Sequence, residues 1–194
     1  NWYWGFMAGF KPEWQYSHFQ TGEKKYGLYF GYKNDISSAV RVDASMAAAG
    51  EYHESTVSRE FIYLRSSFSQ GNSWNIYHSM EIDINRDWRK ERTGKTVTLS
   101  SLYISGQAKL NNQISTRISY DNRRNYYRYE YMSLADSLFD DAFRQGLRLF
   151  IYYRPQKKIR LSLNGGLRKR ENDDQTTYSY GDSIRVGKLF IPTM

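Results

Sequence analysis

One stretch limits the possible folds more than any other: residues 146–170, GLRLFIYYRPQKKIRLSLNGGLRKR. Leu147, Leu149, Ile151 and Tyr153 alternate there with Arg148, Phe150 and Tyr152. After a short break, Ile159, Leu161, Leu163, Gly165 and Leu167 alternate with Arg160, Ser162, Asn164, Gly166 and Arg168. Successive side chains of a strand point to opposite faces of a sheet, so this reads as two strands joined by a turn over 154–157. One face is an apolar ladder and the other carries arginines. Either a sheet between lipid and a wet lumen or a sheet between a protein core and solvent produces that division.

Period-two alternation recurs along the chain in about eleven segments: 2–10, 14–20, 25–33, 38–48, 57–69, 74–84, 96–110, 113–121, the two strands above, and 178–190. Over 25–33, Tyr26, Leu28, Phe30 and Tyr32 share a face. Over 96–110 the parity changes, since Val97 and Leu99 are out of step with Leu102, Ile104, Ala108 and Leu110. A β-bulge at Ser100-Ser101 is therefore expected, because one extra residue shifts the alternation by one.

The connections decide between the two environments. Turns are expected at Lys11-Pro12-Glu13, at 21–24 and at Asn34-Asp35. From there the predicted lengths alternate: 49–56 longer, 70–73 short, 85–95 long, 111–112 short, 122–145 longest, 154–157 short, 169–177 long. Transmembrane barrels join their strands by short periplasmic turns and longer outer loops. A Greek-key sandwich has no reason to keep that rhythm. The expectation is an all-β, antiparallel up-and-down transmembrane barrel forming one domain over 1–194. An odd count of about eleven strands puts the N-terminus outside, whereas such barrels keep both termini in the periplasm with an even count. A strand before Asn1 is therefore expected to be missing, with twelve or more in the intact protein. Lys188 interrupting the last ladder and the tail after Phe190 fit a trimmed chain, as does the strand-like opening NWYWGFMAGF without a secretory signal.

Composition agrees. Aromatics reach 17%, with 18 Tyr and 5 Trp, while mean hydropathy is −0.77. A polar lumen and loops diluting a lipid-facing band with aromatic girdles account for both values. No apolar run approaches the length of a spanning helix. Without cysteine, disulfides and thiolate chemistry are excluded. The formal charge of +8 raises the question of nucleic acid. Lys and Arg are spread over nearly every strand, and no helix-turn-helix, zinc-finger, RRM or KH signature appears, so no nucleic-acid partner is expected.

The alternating ladders, the rhythm of short turns and long loops and the Tyr and Trp at strand ends resemble the bacterial outer-membrane β-barrel class over essentially the whole chain. It is a porin-like resemblance of class; no stretch is specific to one family. Barrels of this size are similar to the small twelve-stranded channels for acidic sugars, whose narrow pores are lined with arginine. The resemblance implies the outer membrane of a Gram-negative bacterium. It also implies contact with its lipid and lipopolysaccharide, passage of small anionic solutes, and other chains of a membrane complex as partners.

By parity the inward-facing arginines are Arg41, Arg65, Arg117, Arg148, Arg160, Arg168 and Arg185, with Asp43, Glu81, Asp83 and Asp121 on the same face. Rings of arginine favour anions. Paired with those carboxylates, the same arginines would instead brace a closed interior. Leu134, Leu138, Phe139 and Phe143 in the longest connection suit a short amphipathic helix folded into the mouth as a constriction. Tyr126, Tyr127, Tyr129 and Tyr131 beside it read as an interfacial girdle. His53 beside Glu51, Glu54 and Ser55 is the best rim-enzyme constellation, and His78 falls on the lipid-facing parity. No cofactor or metal motif is present, and Asp140-Asp141 and Asp173-Asp174 read as solvated loop acids. A passive anion channel is the leading expectation. A non-conducting structural barrel or secretion-complex component comes second, and a rim enzyme third.

Overall fold

The computed structural model describes residues 1–15, 18–34, 39–53, 56–124, 144–156, 158–171 and 175–186, with side chains over 10–22 outside the description. Ten strands form one sheet in sequence order: β1 (Trp2–Gln15), β2 (His18–Lys33), β3 (Val40–His53), β4 (Thr56–Gln70), β5 (Trp74–Ile84), β6 (Val97–Lys109), β7 (Ile114–Arg123), β8 (Arg144–Gln156), β9 (Ile159–Arg170) and β10 (Thr176–Val186). Every neighbouring pair is antiparallel. A seven-residue helix, α1 (Asp87–Thr93), sits between β5 and β6. The sheet is an open meander: β1 pairs with β2 and β10 with β9, and the two edges do not pair with each other.

Among the described residues the strand count is ten rather than about eleven, and the difference lies at the start of the chain. Lys11-Pro12-Glu13 does not turn. β1 runs on to Gln15, and the register shifts between Lys11 and Pro12. Proline has no N–H to give a ladder, but β1 is an edge strand and the shift is a bulge, the two settings a sheet tolerates. The 21–24 turn is absent too, because β2 is continuous from His18 to Lys33. Nor is 49–56 a long connection, since β3 reaches His53 and β4 starts at Thr56.

With ten strands, β1 starts and β10 ends at the same end of the sheet. That end also holds the connections over 34–39, 71–73, 110–113 and 157–158. The first strand thus begins at the short-turn end, opposite to the sequence expectation. The long connections, 85–96 with α1 and 124–143, lie at the other end. Leu134, Leu138, Phe139 and Phe143, with the tyrosines before them, fall outside the described residues, as do Asp140-Asp141, Asp173-Asp174 and 187–194.

The expected bulge in β6 is present. Leu99 pairs with Ile82 and Ser101 with Glu81, leaving Ser100 as the extra residue. That one insertion keeps Val97 and Leu99 on the face of Leu102 and Ile104. Further shifts occur at Glu51/Tyr52 and between Tyr153 and Gln156.

Register sorts the side chains into an apolar face and an arginine face. Trp2, Trp4, Phe6, Leu28, Phe30, Met46, Ile76, Ile104, Ile118, Leu149, Ile151, Leu163 and Ile184 share the apolar face and are all exposed, Trp4 by 77% and Leu163 by 57%. Among the described residues, all but four of the exposed large apolar side chains lie on it. The exceptions are Tyr3, Met7 and Tyr29 on the other face and Leu110 in a turn. The largest fully buried side chains are polar: Arg89, Asn85, Asp83 and Ser58. This inverts the distribution of a water-soluble domain, which buries Ile, Val, Leu and Phe.

β2 and β3 approach closely at Gly27, where an added Cβ would lie 2.7 Å from the Ala48 carbonyl oxygen and 3.0 Å from the Ala49 Cβ. Gly27→Ala must push backbone aside and is expected to lower stability by about 1–3 kcal/mol. Gly9→Ala, with nothing within 4 Å, should stay within about 0.5 kcal/mol of the parent. Urea unfolding of the refolded chain in micelles checks both, and equal midpoints for the two variants would contradict the assigned register.

Candidate functional site: the arginine face

Alternation carries every sequence-nominated inward residue to one face. Arg41 lies opposite Ser69 and Asp43 opposite Ser67 on β4, while Arg65 sits between Ser45 and Ser79. Glu81 and Asp83 occupy the same face of β5, and Asp121 faces Tyr103 and Gly146. Arg117 lies between Gln107 and Phe150, Arg148 between Ser119 and Gly166, and Arg168 opposite Gly146 and Thr177. Arg160 is directly opposite Arg185. Two glycines sit beside these arginines, and Gly166 makes room for a stem. A Cβ on Gly166 would meet Arg148 Cγ at 3.2 Å, and one on Gly146 would meet Arg168 Nε at 3.5 Å.

This face has two halves of different charge. Across β7–β10 it carries Arg117, Arg123, Arg144, Arg148, Arg160, Arg168, Arg170 and Arg185. Asp121 is the single carboxylate there among the described residues. Arg123, Arg144 and Arg170 stand in one row across three strands toward the long-loop end. Arg117, Arg160 and Arg185 lie toward the short-turn end, with Arg148 between. The positive side chains therefore run the length of the sheet.

Over β3–β5 and α1 the charges are matched. Arg59 donates from Nε to Asp83 Oδ1 at 3.0 Å and from Nη2 to the same oxygen at 2.6 Å, and it also pairs with Glu81. Its guanidinium lies 4.3 Å from the centroid of the Phe61 ring. Arg89 of α1 donates to Asp83 Oδ2 at 2.6 Å, to the Ser58 carbonyl at 3.0 Å and to Asn85 Oδ1. The Asn85 amide in turn donates to the Lys95 carbonyl and to Thr98 Oγ1. Trp88 adds a bond from Nε1 to the Val57 carbonyl at 2.8 Å. The helix thus lies on the arginine face, held by a guanidinium only 1% exposed. Burial pushes Arg89 below its ordinary pKa while Asp83 pulls it back up; an arginine so placed stays charged. Gly94 ends α1 in the left-handed conformation, its N–H bonded to the Lys90 carbonyl.

Sequence reasoning set Glu81 and Asp83 among the acids of the arginine face, but the guanidiniums that meet them are two it did not nominate. Arg59 and Arg89 take both. Arg59 shares the parity of Tyr63 and Arg65, which was the available signal. Arg89 lies in a connection, where strand alternation carries no information. Arg168 reaches Asp121 at 3.5 Å. Among the described residues, Arg41, Arg65, Arg117, Arg148, Arg160 and Arg185 make no carboxylate ion pair within 4 Å. Arg65 lies over the Tyr77 ring instead, 5.7 Å from its centroid.

Of the rim constellation, His53 ends β3 opposite Glu23 and Thr56 with Glu51 on the same strand, whereas Glu54 and Ser55 lie outside the described residues. His78 is on the apolar face between Ser66 and Ile104. No group of three or more His, Asp or Glu side chains gathers in metal-holding geometry among the described residues. The chain matches no protein-family model, no curated protein and no solved structure.

Asp83→Asn leaves two buried guanidiniums sharing one carboxylate fewer. The expected cost is about 3–5 kcal/mol, the range for breaking a buried pair from one side, read as a lowered unfolding midpoint. Arg41→Gln, exposed and without such a pair, should leave that midpoint within about 0.5 kcal/mol of the parent.

Proposed function

We propose that the chain is a bacterial outer-membrane β-barrel protein whose arginine face lines a lumen that passes small anionic solutes. The observation that carries the reading is the run of arginines along β7–β10, accompanied on that face by one carboxylate among the described residues. Fixed guanidiniums such as Arg117, Arg148, Arg160 and Arg185, which make no carboxylate ion pair within 4 Å among the described residues, raise the local concentration of anions and exclude cations.

The inverted burial supports the membrane part. The outward face carries most of the large apolar side chains, with Asp182 of β10 a charged exception opposite Leu163, and the eleven residues of β5 reach about 35 Å at about 3.4 Å per residue. Tilted as in a membrane barrel, that matches an apolar band about 25 Å tall. Trp2, Tyr32, Phe68, Trp74 and Tyr153 mark its short-turn edge, and Tyr26, Tyr52, Tyr120 and Tyr178 lie toward the other. Trp and Tyr favour these interfacial levels. The short-turn end then faces the periplasm and α1 the outside. Unpaired strand edges are not tolerated in hydrocarbon, so β1 and β10 pair with each other or with further strands, which would bring the total to twelve or more. Outer-membrane lipid and lipopolysaccharide surround the apolar face in this reading, and other chains of a membrane complex remain compatible partners.

A second reading, a non-conducting structural barrel, draws on α1, which lies on the arginine face and is fixed there by Arg59, Asp83 and Arg89. Planar bilayers separate the two. The channel reading expects discrete conductance steps and a reversal potential favouring chloride in a KCl gradient. Arg148→Glu with Arg117→Glu should move that potential toward potassium. Absence of steps overturns the channel. The lipid assignment is tested separately by Leu149→Arg, which should cost about 2–4 kcal/mol in bilayer refolding if it faces the membrane midplane. A cost near zero would place that face in water.

A further inference from the structure

At the short-turn end of the arginine face, four cationic side chains surround one cavity of about 420 Å³. Lys109 comes from the end of β6, Arg117 from β7, Arg154 from β8 and Arg160 from β9, with Gln107 and Tyr152 between them. Among the described residues, no carboxylate lines it. We infer that this cavity is a binding site for a small multivalent oxyanion. The site deepens the channel reading and rests on it for its access to solute.

Three features carry the inference. Four positive charges converge on a volume suited to a compact solute. Next to them, Arg160 stands directly opposite Arg185 across β9 and β10, and like charges so placed destabilise a sheet unless something neutralises them. The neighbouring amides also act as acceptors toward the cations. Arg117 Nη2 donates to Gln107 Oε1 at 3.4 Å, and Lys109 Nζ donates to Asn112 Oδ1 at 3.1 Å. An amide whose oxygen is used this way still has N–H donors to offer, so cations and amides alike can donate to an incoming ligand. The floor is held by turn geometry: Asn111 Oδ1 accepts from the backbone N–H groups of Gln113 and Ile114, both at 2.8 Å.

The ligand chemistry follows. Acceptor oxygens on a compact body suit these donors, and a single negative charge would leave most of the cationic field unanswered. Guanidinium forks take phosphate or carboxylate oxygens in pairs. The class is therefore a solute bearing two or more phosphate or carboxylate groups, with pyrophosphate and citrate as the simplest probes of the two sources.

The test is calorimetric titration of the full chain, refolded in a neutral detergent, with pyrophosphate, citrate and acetate at low salt. Saturable one-to-one binding of pyrophosphate or citrate is expected, with acetate much weaker; whichever of the two binds tighter identifies the source. Arg117→Gln with Arg160→Gln should weaken it by about tenfold or more, the usual loss for charged hydrogen bonds. Lys90→Gln, in α1 at the opposite end, should leave it within about twofold if binding is local rather than a response to net charge. Circular dichroism confirms refolding, and should the double variant fail to refold, Lys109→Gln and Arg154→Gln singly give the same reading with smaller losses. Absence of saturable binding, or equal loss with Lys90→Gln, overturns the site. Binding without bilayer conductance keeps the site and removes the channel; anion-selective conductance without binding does the reverse.

Discussion

Register is the constraint on which the rest of this molecule depends. A slip of one residue between neighbouring strands would carry a whole set of side chains to the opposite face. Here that would set arginines among Trp4, Leu149 and Leu163 and leave the apolar ladders beside Arg148 and Arg168. The four register shifts lie near strand ends, at Lys11/Pro12, Glu51/Tyr52, Ser100 and between Tyr153 and Gln156. Between them the pairing is uninterrupted. Ser100 shows the effect most directly, since without it either Val97 and Leu99 or Leu102 and Ile104 would point to the polar side.

Given that register, the electrostatics divide along the sheet. Around β4, β5 and α1, carboxylates and guanidiniums meet inside the structure, and the Arg59–Asp83–Arg89 group is enclosed enough that each member needs the others. Across β7–β10 the arginines outnumber acids and remain on an open face. In the channel we propose, bracing falls to β3–β5 with α1 and anion selection to β7–β10. A feature of the arginine face that draws no charge explains some of its shape: Gly166 leaves room for the stem of Arg148 to lie across the neighbouring strand.

Much of this was legible in the residues. Alternation alone placed all eleven nominated inward side chains on one face, and the parity break in 96–110 located the bulge. The start of the chain was misread because proline and glycine are turn signals only where a ladder needs the donor they lack or the side chain they omit. At Pro12, on an edge strand, it does not. Arg89 was illegible for another reason: its place depends on α1 folding back over β4 and β5, and a charged connection such as NRDWRKERTGK carries no period that says where it will dock.

The sequence by itself determined that the chain forms antiparallel strands with one apolar and one arginine-bearing face, because a period of two is local and survives any choice of neighbours. Only the tertiary structure decided which arginines meet a carboxylate. Those pairings join Arg59 and Arg89 to Asp83 of β5, while Lys109, Arg117, Arg154 and Arg160 are gathered around one cavity without a carboxylate among the described residues. Each depends on distances set between strands, which no single strand's pattern contains.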